Sequence, residues 1–401
     1  MSVNQMNVED VYQFLNDLHA QVTGMTSIGP VDPSDFISIA TTVLQQGTDK
    51  VYNALMNTIT KTVFSTRPYS RQFGGMIVDN AKWGGVIRKI SFGDTDAVPN
   101  TPYNLPADGQ SVDHYVINRG DVLETHFYGS DIYQDVFSVF REQLIEAFNG
   151  PEQLGSFVAA KTNEINNKWV QWTEDLTRAL LLNMIIATLS YGNPESSVHL
   201  ITEYNSTAGI TPPLTINDIF KPTVAKPFWE FVRARVKTIS REFEQRSMRF
   251  QVPIMNNNTN MYYRIMRHTP AKNQKLYMLA PYMDLMETST LTEAFHNDYL
   301  KYADVEKVAF WQSIDSPITI NLSKFTFMDN DGIYQVDSNG ATESYILGVL
   351  FDEDAAVVNI KDTIVMNTPM NARGLYYDSW LTAHAQYTLD TSEKICVFQL
   401  D

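Results

Sequence analysis

The segment PEQLGSFVAAKTNEINNKWVQWTEDLTRALLLNMIIATLSYG, residues 151–192, holds the longest regular pattern in this chain. Its apolar residues recur every three or four positions, which is the spacing of one face of an α-helix. They are Leu154, Phe157, Val158, Ile165, Trp169, Trp172, Leu176, Leu180 and Met184. Pro151 suits the first turn of a helix, and Gly192 followed by Pro194 ends it. The pattern predicts one helix of roughly 55 Å, at about 1.5 Å per residue, which is longer than most helices of compact domains.

The last part of this segment, residues 176–192, is the most apolar window of the chain. It carries Arg178 and Asn183 and is too short to span a bilayer, so we expect a buried helix and no membrane partner. The first residues show no basic stretch followed by an apolar run, so no secretory signal is expected. The single cysteine, Cys396, excludes an intramolecular disulfide and favours a cytosolic folding environment.

The formal net charge of the 401 residues is −16. This excess of acid argues against a protein that grips nucleic acid over its whole surface, but not against one that encloses nucleic acid loosely. One basic stripe consists of Arg233, Arg235, Lys237, Arg241, Arg246 and Arg249. Because Glu230, Glu242 and Glu244 are interleaved with it, a salt-bridged helix face is favoured over a nucleic-acid or subunit contact.

A long two-stranded projection is predicted upstream of the helix. WGGVIRKISF (83–92) and SVDHYVINRGDVLETHFYG (111–129) both have the character of extended chain. Between them lie Pro99, Pro102 and Pro106, which exclude helix and central strand. Because an isolated two-stranded ribbon is only marginally stable in water, we expect another subunit to cover it. Ahead of it, the first sixty residues are predicted to form an arm with short amphipathic helices.

The second half of the chain mixes helix and strand. KPFWEFVRARVKTISREFEQ (226–245) has the spacing of an amphipathic helix, after a polar stretch over 193–215. TLTEAF has the pattern of a short helix capped by Thr290, with Glu293 three residues later. Short buried strands or buried segments are predicted at LYMLAP (276–281), VEKVAFW (305–311), SYILGVLF (344–351) and AAVVNI (355–360). The fold class is therefore α+β.

MNARGLYYDSWLTAHAQYTLD, residues 370–390, alternates between apolar and polar residues. The odd positions from Leu375 to Leu389 are mostly apolar, which predicts a long, half-buried strand. ICVFQL follows after a turn, so we expect a closing hairpin. His384 lies on the polar face. As a catalytic base it would need a nucleophile or carboxylate beside it, and the sequence indicates none.

The residues that could take part in chemistry have structural explanations. The seven histidines show no metal-ligand spacing, and no phosphate-binding or nucleophile motif is present. DNDG (329–332) lacks the first and last ligands of a calcium loop, which favours a turn. DEDAA (352–356) could pair two carboxylates for acid–base chemistry, but a short helical turn is favoured. Cys396 is predicted to be a buried structural thiol. We therefore predict no catalytic, cofactor-binding or metal-binding residues and no cofactor.

The order of these parts resembles the major capsid proteins of tailed phages, which have the Hong Kong type of capsid fold. The resemblance is closest to the small podoviruses of the phi-twenty-nine group. It is carried by LYMLAPYMDLMETSTLTEAFHNDYLKYADVEKVAF (276–310), by NARGLYYDSWLTAHAQYTLD (371–390) and by the preceding helix FWEFVRARVKTISREF (228–243).

The resemblance implies a layout of domains. It places an N-terminal arm at 1–60, a peripheral domain at 61–82 and 129–200 with a spine helix at 151–192, an extended loop at 83–128, a mainly axial domain at 201–350, and a return to the peripheral sheet at 351–401. The extended loop would lie over a neighbouring subunit.

The resemblance also implies a function without catalysis. The chain would assemble as pentamers and hexamers into an icosahedral head that encloses double-stranded DNA without sequence-specific binding. A scaffolding protein and a portal are the implied partners, and the implied location is the virion after assembly in the host cytoplasm. An encapsulin-like nanocompartment shell is the alternative, and an enzyme of unrecognised type is a more distant one.

Overall fold

The computed structural model describes residues 8–24, 33–56, 74–78, 86–94, 115, 121–128, 131–256, 261–290 and 305–401. The helices are α1 (Val8–Thr23), α2 (Pro33–Gln45), α3 (48–56), α4 (Arg141–Ala147), α5 (Pro151–Tyr191), α6 (Leu200–Ala208), α7 (Pro222–Glu244) and α8 (Ala280–Thr290). The strands are β1 (Ile77–Val78), β2 (Val86–Phe92), β3 (Val122–Tyr128), β4 (Asp131–Phe140), β5 (Ser197–His199), β6 (Met255–Asn256), β7 (Met261–Tyr262), β8 (Gln274–Leu279), β9 (Val305–Val308), β10 (Ile320–Leu322), β11 (Phe325–Met328), β12 (Tyr334–Asp337), β13 (Ala341–Glu343), β14 (Ile346–Asp352), β15 (Ala356–Asn367), β16 (Tyr376–Leu389) and β17 (Ile395–Gln399).

Two main sheets lie along the long helix α5. The first has the strand order β1-β15-β16-β4, and the second has the order β5-β17-β14-β8-β9. The second sheet is covered on both faces, because its strands alternate between a core shared with α5 and a core shared with α7. Tyr277 and Val349 belong to the α5 side, whereas Met278 and Leu350 belong to the α7 side.

The predicted long helix is confirmed, because α5 spans Pro151–Tyr191 without a break. Its first half buries Leu154 and Val158 among α1, α2, β4 and β16. Its last half buries Leu181 and Ile185 against the second sheet, so the apolar window at 176–192 is a buried helix as expected. No helix in the described ranges is long and apolar enough to cross a membrane.

Truncating Ile185 to Ala should lower the free energy of unfolding by about 2–5 kcal/mol, because it opens a cavity in a fully buried site. Urea unfolding followed by circular dichroism measures this change. Ile37→Ala is the matched control, since Ile37 is half exposed on α2, and its effect should be much smaller. Equal effects of the two truncations would contradict this assignment of the core.

The predicted strand at 375–390 is confirmed as β16, and its odd residues are buried from Tyr377 to Ala385. Beyond that point the predicted alternation is wrong, because Gln386 is buried and Tyr387 is exposed. β4 begins opposite Ala385, so no β4 residue pairs with Gln386, and β15 carries a bulge there. Gln386 instead donates from Nε2 to the carbonyl of Phe127 at 3.1 Å, which explains its burial.

The predicted closing hairpin is wrong. β16 pairs with β15 and β4, whereas β17 pairs with β14 and β5 in the other sheet. Residues 390–394 therefore carry the chain from one sheet to the other. The physical reason is burial, because Ile395–Gln399 is buried on both faces and suits an inner strand of the covered sheet.

Two further predictions need correction. The second amphipathic helix begins at Pro222, not at 226, and contains Pro227. Before it, the polar stretch 193–215 forms β5 and α6 on the second sheet, where Leu200 and Ile201 are buried. DEDAA makes a tight turn from β14 into β15, because Ala355 donates its backbone N–H to the Asp352 carbonyl and the strands continue on both sides.

Several predictions fall partly outside the described residues. Thr290 is the last residue of α8, and the rest of TLTEAF lies beyond that limit. The proline-containing tip of the hairpin also lies outside the described residues. The two strands at its base are confirmed, since Val86 pairs with Tyr128 and Phe92 with Val122 in one antiparallel register. α1 and α2 pack on α5, and the predicted arm over 1–60 stays a prediction.

Candidate assembly site: the hairpin, its anchor and the outward sheet face

The hairpin β2–β3 has an inward and an outward face. Lys89, Ser91 and Phe127 belong to the inward face, and Phe92 and Val122 belong to the outward face. The two apolar residues pair across the ribbon, and Phe92 is 70% exposed. The outward end of the hairpin is therefore apolar and uncovered within the described structure.

A buried ionic cluster holds the inward face. Lys89 donates from Nζ to Asp390 Oδ2 and to Glu393 Oε1, both on the segment that joins the two sheets. The side chains of Asp390 and Glu393 are 3% and 8% exposed. Arg267 lies 3.3 Å from Glu393 Oε1 and donates to Ser91 Oγ at 2.9 Å. We call Lys89, Arg267, Asp390 and Glu393 the hairpin anchor.

The pKa values in the anchor show how the charges balance. Burial alone would raise the pKa of Asp390, but the charge and hydrogen bond of Lys89 and the hydroxyl of Ser392 hold it below its usual value. Burial raises the pKa of Glu393 even though Lys89 and Arg267 oppose the change. Burial would lower the pKa of Lys89, yet the two carboxylates raise it. Lys89 and Asp390 therefore form the tightly coupled pair of the cluster.

A second set of contacts holds the distal end of β2. Asp94 donates its backbone N–H to the Arg264 carbonyl at 2.6 Å. Its carboxylate accepts from the backbone N–H of Met266 at 3.1 Å and forms an ion pair with Arg246. The hairpin is thus fixed to two parts of the chain that are far from it in sequence.

Lys394 fixes the segment next to the anchor onto helix α7. Its Nζ donates to the carbonyls of Phe243 at 3.2 Å and Gln245 at 2.6 Å, at the end of the helix. A cation suits the carbonyl end of a helix. Burial, together with the charge of Arg249, lowers the pKa of Lys394 to about 8.

The outward face of the first sheet is unusually apolar. Antiparallel sheets with one covered face commonly present a polar second face. Here Ile132 on β4 and Met366 on β15 are 63% and 66% exposed, and Val136 and Phe140 are also exposed. Val136, Trp380 and Met366 form one row across three strands. Such contiguous exposed apolar surface marks an interaction site.

Two of the described histidines pair with carboxylates. His126 lies 2.9 Å from Glu124, and His199 lies 2.6 Å from Asp401. His384 lies on the outward sheet face opposite Ile132. Among the described residues, no three His, Cys, Asp or Glu side chains are grouped so that they could hold a metal ion.

The other candidate residues have structural roles. DNDG is a turn between β11 and β12, as predicted, and Asp329 Oδ1 accepts the backbone N–H of Asp331 at 3.0 Å. The basic stripe does form salt bridges, but several of its partners are carboxylates outside the stripe, and Arg249 pairs with the interleaved Glu242 at 3.3 Å. Arg235 donates to Glu203 at 2.7 Å, and Arg249 donates to Glu195 at 3.0 Å.

The hairpin anchor was missed by the sequence prediction. The pairs that Lys89 makes join residues about three hundred positions apart along the chain, since Lys89 and Asp390 differ by 301 positions. A local signal exists in DTSEK (390–394), where three charged residues stand between two strongly apolar strands. Buried charges need partners, so that contrast could have indicated an ion-pair site.

Cys396 is buried on β17, which confirms the predicted structural thiol. Burial raises the pKa of this thiol well above its usual range, so little thiolate forms. A thiol reagent such as Ellman's reagent should therefore react at least about a hundredfold more slowly with the native protein than with the urea-unfolded chain. Equal rates would show that the strand opens readily.

Comparison with solved structures identifies the fold. The chain aligns with one from the capsid structure of Staphylococcus phage Andhra at TM-score 0.51 and 9% identity, over 83% of this chain and 84% of that one. It aligns with one from the structure of the head fiber and inner core protein gp22 of native bacteriophage P68 at TM-score 0.53 and 9% identity, over 83% and 85%. The fold is that of tailed-phage major capsid proteins.

The sequence profile of the Phi29-like phage major capsid protein family matches residues 13–399. The chain belongs to that family, and the resemblance seen in the sequence is confirmed. A comparison with curated proteins finds no significant match. The family and the fold together show that this chain has a structural role, as one subunit of a multi-subunit capsid shell in the virion. They do not favour a nanocompartment shell.

Proposed function

We propose that this chain builds the icosahedral head of a podovirus and acts without catalysis. The observation that carries the proposal is the exposed apolar surface on two separate parts of one subunit, the outward faces of the hairpin and of the first sheet. A soluble monomer rarely leaves such surface uncovered. Neighbouring copies of the chain would cover both faces in the shell.

The contacts would be heterologous, because the hairpin and the sheet face are different surfaces. A head-to-tail contact of this kind closes into a ring when the rotation between copies allows it. Pentamers and hexamers are rings of this kind. The hairpin anchor and the contacts of Asp94 would set the direction in which the hairpin leaves its own subunit, since Lys89 fixes the middle of β2 and Asp94 fixes the chain just beyond its last residue.

The finer features of the head rest on the family resemblance. We propose double-stranded DNA as the content, held without sequence-specific contacts, in keeping with a net charge of −16. A scaffolding protein and a portal are the proposed assembly partners, and assembly is proposed to occur in the host cytoplasm. We propose the domain layout that the resemblance implies, with α5 as the spine helix and the segment 83–128 as the extended loop.

Cysteine labelling tests whether the two faces become covered. Phe92→Cys and Met366→Cys each add one accessible thiol, and the native Cys396 is buried. Each new thiol should react with a maleimide in dissociated subunits and become at least about tenfold slower in assembled shells. Thr238→Cys, on the exposed polar side of α7, is the control and should react alike in both states. Unchanged labelling of both apolar sites in shells would contradict the proposal.

A further inference from the structure

A cleft of about 830 Å³ lies between the base of the hairpin, the second half of α5 and the turn between β11 and β12. Much of its lining is apolar, including Leu176 and Leu180 on α5 and Leu389 on β16. Sites for small molecules have this size and this character, with a few polar groups among apolar walls. The role of a shell subunit gives this cleft no occupant.

Four aromatic rings line the cleft. They are Phe127 on β3, Tyr133 on β4, Tyr334 on β12 and Tyr387 on β16. The ring centres of Phe127 and Tyr334 lie 6.1 Å apart, with the rings tilted by 54°. The face of an aromatic ring carries partial negative charge and attracts cations. A lining of this kind therefore favours a cation with an apolar body over an anion.

Hydrogen bonds hold two of the four rings in place. The Tyr387 hydroxyl donates to Asp131 Oδ2, and the Tyr334 hydroxyl donates to the Leu389 carbonyl. The bond to Asp131, together with burial, raises the pKa of Tyr387 to about 12. Burial raises the pKa of Tyr334 as well. Both rings are therefore uncharged at neutral pH and are fixed before any ligand binds.

The charges at the cleft are negative and only partly balanced. Asp331 lines the cleft, and its carboxylate forms no ion pair with another described residue. Asp131, next to the rings, likewise has no described lysine or arginine as a partner. Glu124 is different, because it pairs with Arg88 and lies 2.9 Å from His126. No lysine or arginine is among the described residues that line the cleft, so a cation would be attracted there.

The turn that carries Asp331 is held firmly. Asp329 Oδ1 accepts the backbone N–H groups of Asp331 at 3.0 Å and of Ile333 at 2.9 Å. Asn183 fixes the adjoining strand β11 to α5, because its side chain bonds both backbone groups of Thr326, at 2.7 and 2.8 Å. A site whose walls are already ordered loses little affinity to ordering when a ligand binds.

We propose that this cleft binds a small organic cation with an apolar body, of the arylalkyl amine class. The apolar body would lie among the four rings and the leucines of α5, and the ammonium group would lie beside Asp331. This inference goes beyond the shell role, since a single subunit forms the whole site. A ligand bound there would contact the hairpin base, α5 and β12 together, and would stabilise the folded subunit.

Titration calorimetry of the purified, unassembled subunit tests the proposal with three matched probes. Naphthylmethylamine is the cation, naphthylmethanol is the neutral control with the same rings, and naphthoate is the anion. The amine should bind at one site per subunit, at least about tenfold more tightly than the alcohol, and the anion should bind most weakly. Added salt should weaken binding of the amine and leave binding of the alcohol nearly unchanged.

Two substitutions at partly or fully exposed positions locate the site. Asp331→Asn removes the charge, and Tyr387→Leu removes one ring while keeping an apolar side chain. Each should lower the affinity for the amine at least about fivefold. Asp331→Asn should keep the wild-type affinity for the alcohol, which also shows that the variant is folded. Glu142→Gln removes an exposed charge from α4 and should bind the amine like the wild type.

Three results would overturn the cation site. They are equal binding of amine, alcohol and anion, an Asp331→Asn variant that binds the amine as tightly as the wild type, and no binding of the amine up to about 1 mM. If the variants do not fold, the comparison of the three probes on the wild-type subunit decides. The shell role is tested separately by assembly, so it stands or fails independently of these measurements.

Discussion

Replacing Lys89 with Met should lower the free energy of unfolding by about 3–5 kcal/mol, because the change leaves a buried carboxylate without its main cation. Asp390 is 2% exposed, and Lys89 contacts both it and Glu393. Removing one partner of a buried pair costs more than the pair contributes. Urea unfolding measures the change, and hydrogen exchange should show that the loss of protection is centred on β2 and β3.

The neighbouring residue offers a matched control. Arg88 lies on the opposite face of β2, where it is half exposed and pairs with Glu124. Arg88→Met should leave the unfolding midpoint nearly unchanged, since exposed ion pairs contribute little. Combining Lys89→Met with Asp390→Asn and Glu393→Gln should restore part of the lost stability, because no unpaired charge stays buried. A Lys89→Met protein as stable as the Arg88→Met protein would contradict the role given to the anchor.

Placing a charge on either apolar face should prevent assembly while leaving the subunit folded. Phe92→Asp and Met366→Asp should each raise the concentration needed for shell formation at least about tenfold, since truncation of a central contact residue commonly costs that much. Both side chains are about two-thirds exposed in the single subunit, so the substitutions should cost little folding stability. Light scattering during assembly measures the threshold.

Thr238→Asp is the control for that series, because it adds the same charge at an exposed polar site on α7. It should assemble at the concentration of the wild type. Normal assembly of both Phe92→Asp and Met366→Asp would show that neither face is a contact between subunits in the shell. Loss of assembly in the control as well would indicate a general effect of charge instead of a local one.

Long local patterns made part of the fold predictable from sequence. α5 repeats its apolar spacing over 41 residues, and β16 alternates over most of 14, so a single local period identifies each element. Cys396 was predictable for the same reason, since it stands between apolar neighbours in a short strand.

Long-range pairings were not predictable in this way. Whether β16 turns back on β17 or leaves for another sheet depends on β14 and β5, which accept β17 as an inner strand. The change of face at Gln386 depends on where β4 begins and where β15 bulges. The anchor joins Lys89 to residues about three hundred positions away, and a local pattern carries no information about such a contact.

Electron microscopy of the purified protein, alone and together with the other head proteins of its virus, tests the capsid assignment most directly. We expect closed shells or rings of five and six subunits. A protein that stays a monodisperse monomer at high concentration and with its candidate scaffolding protein would contradict it.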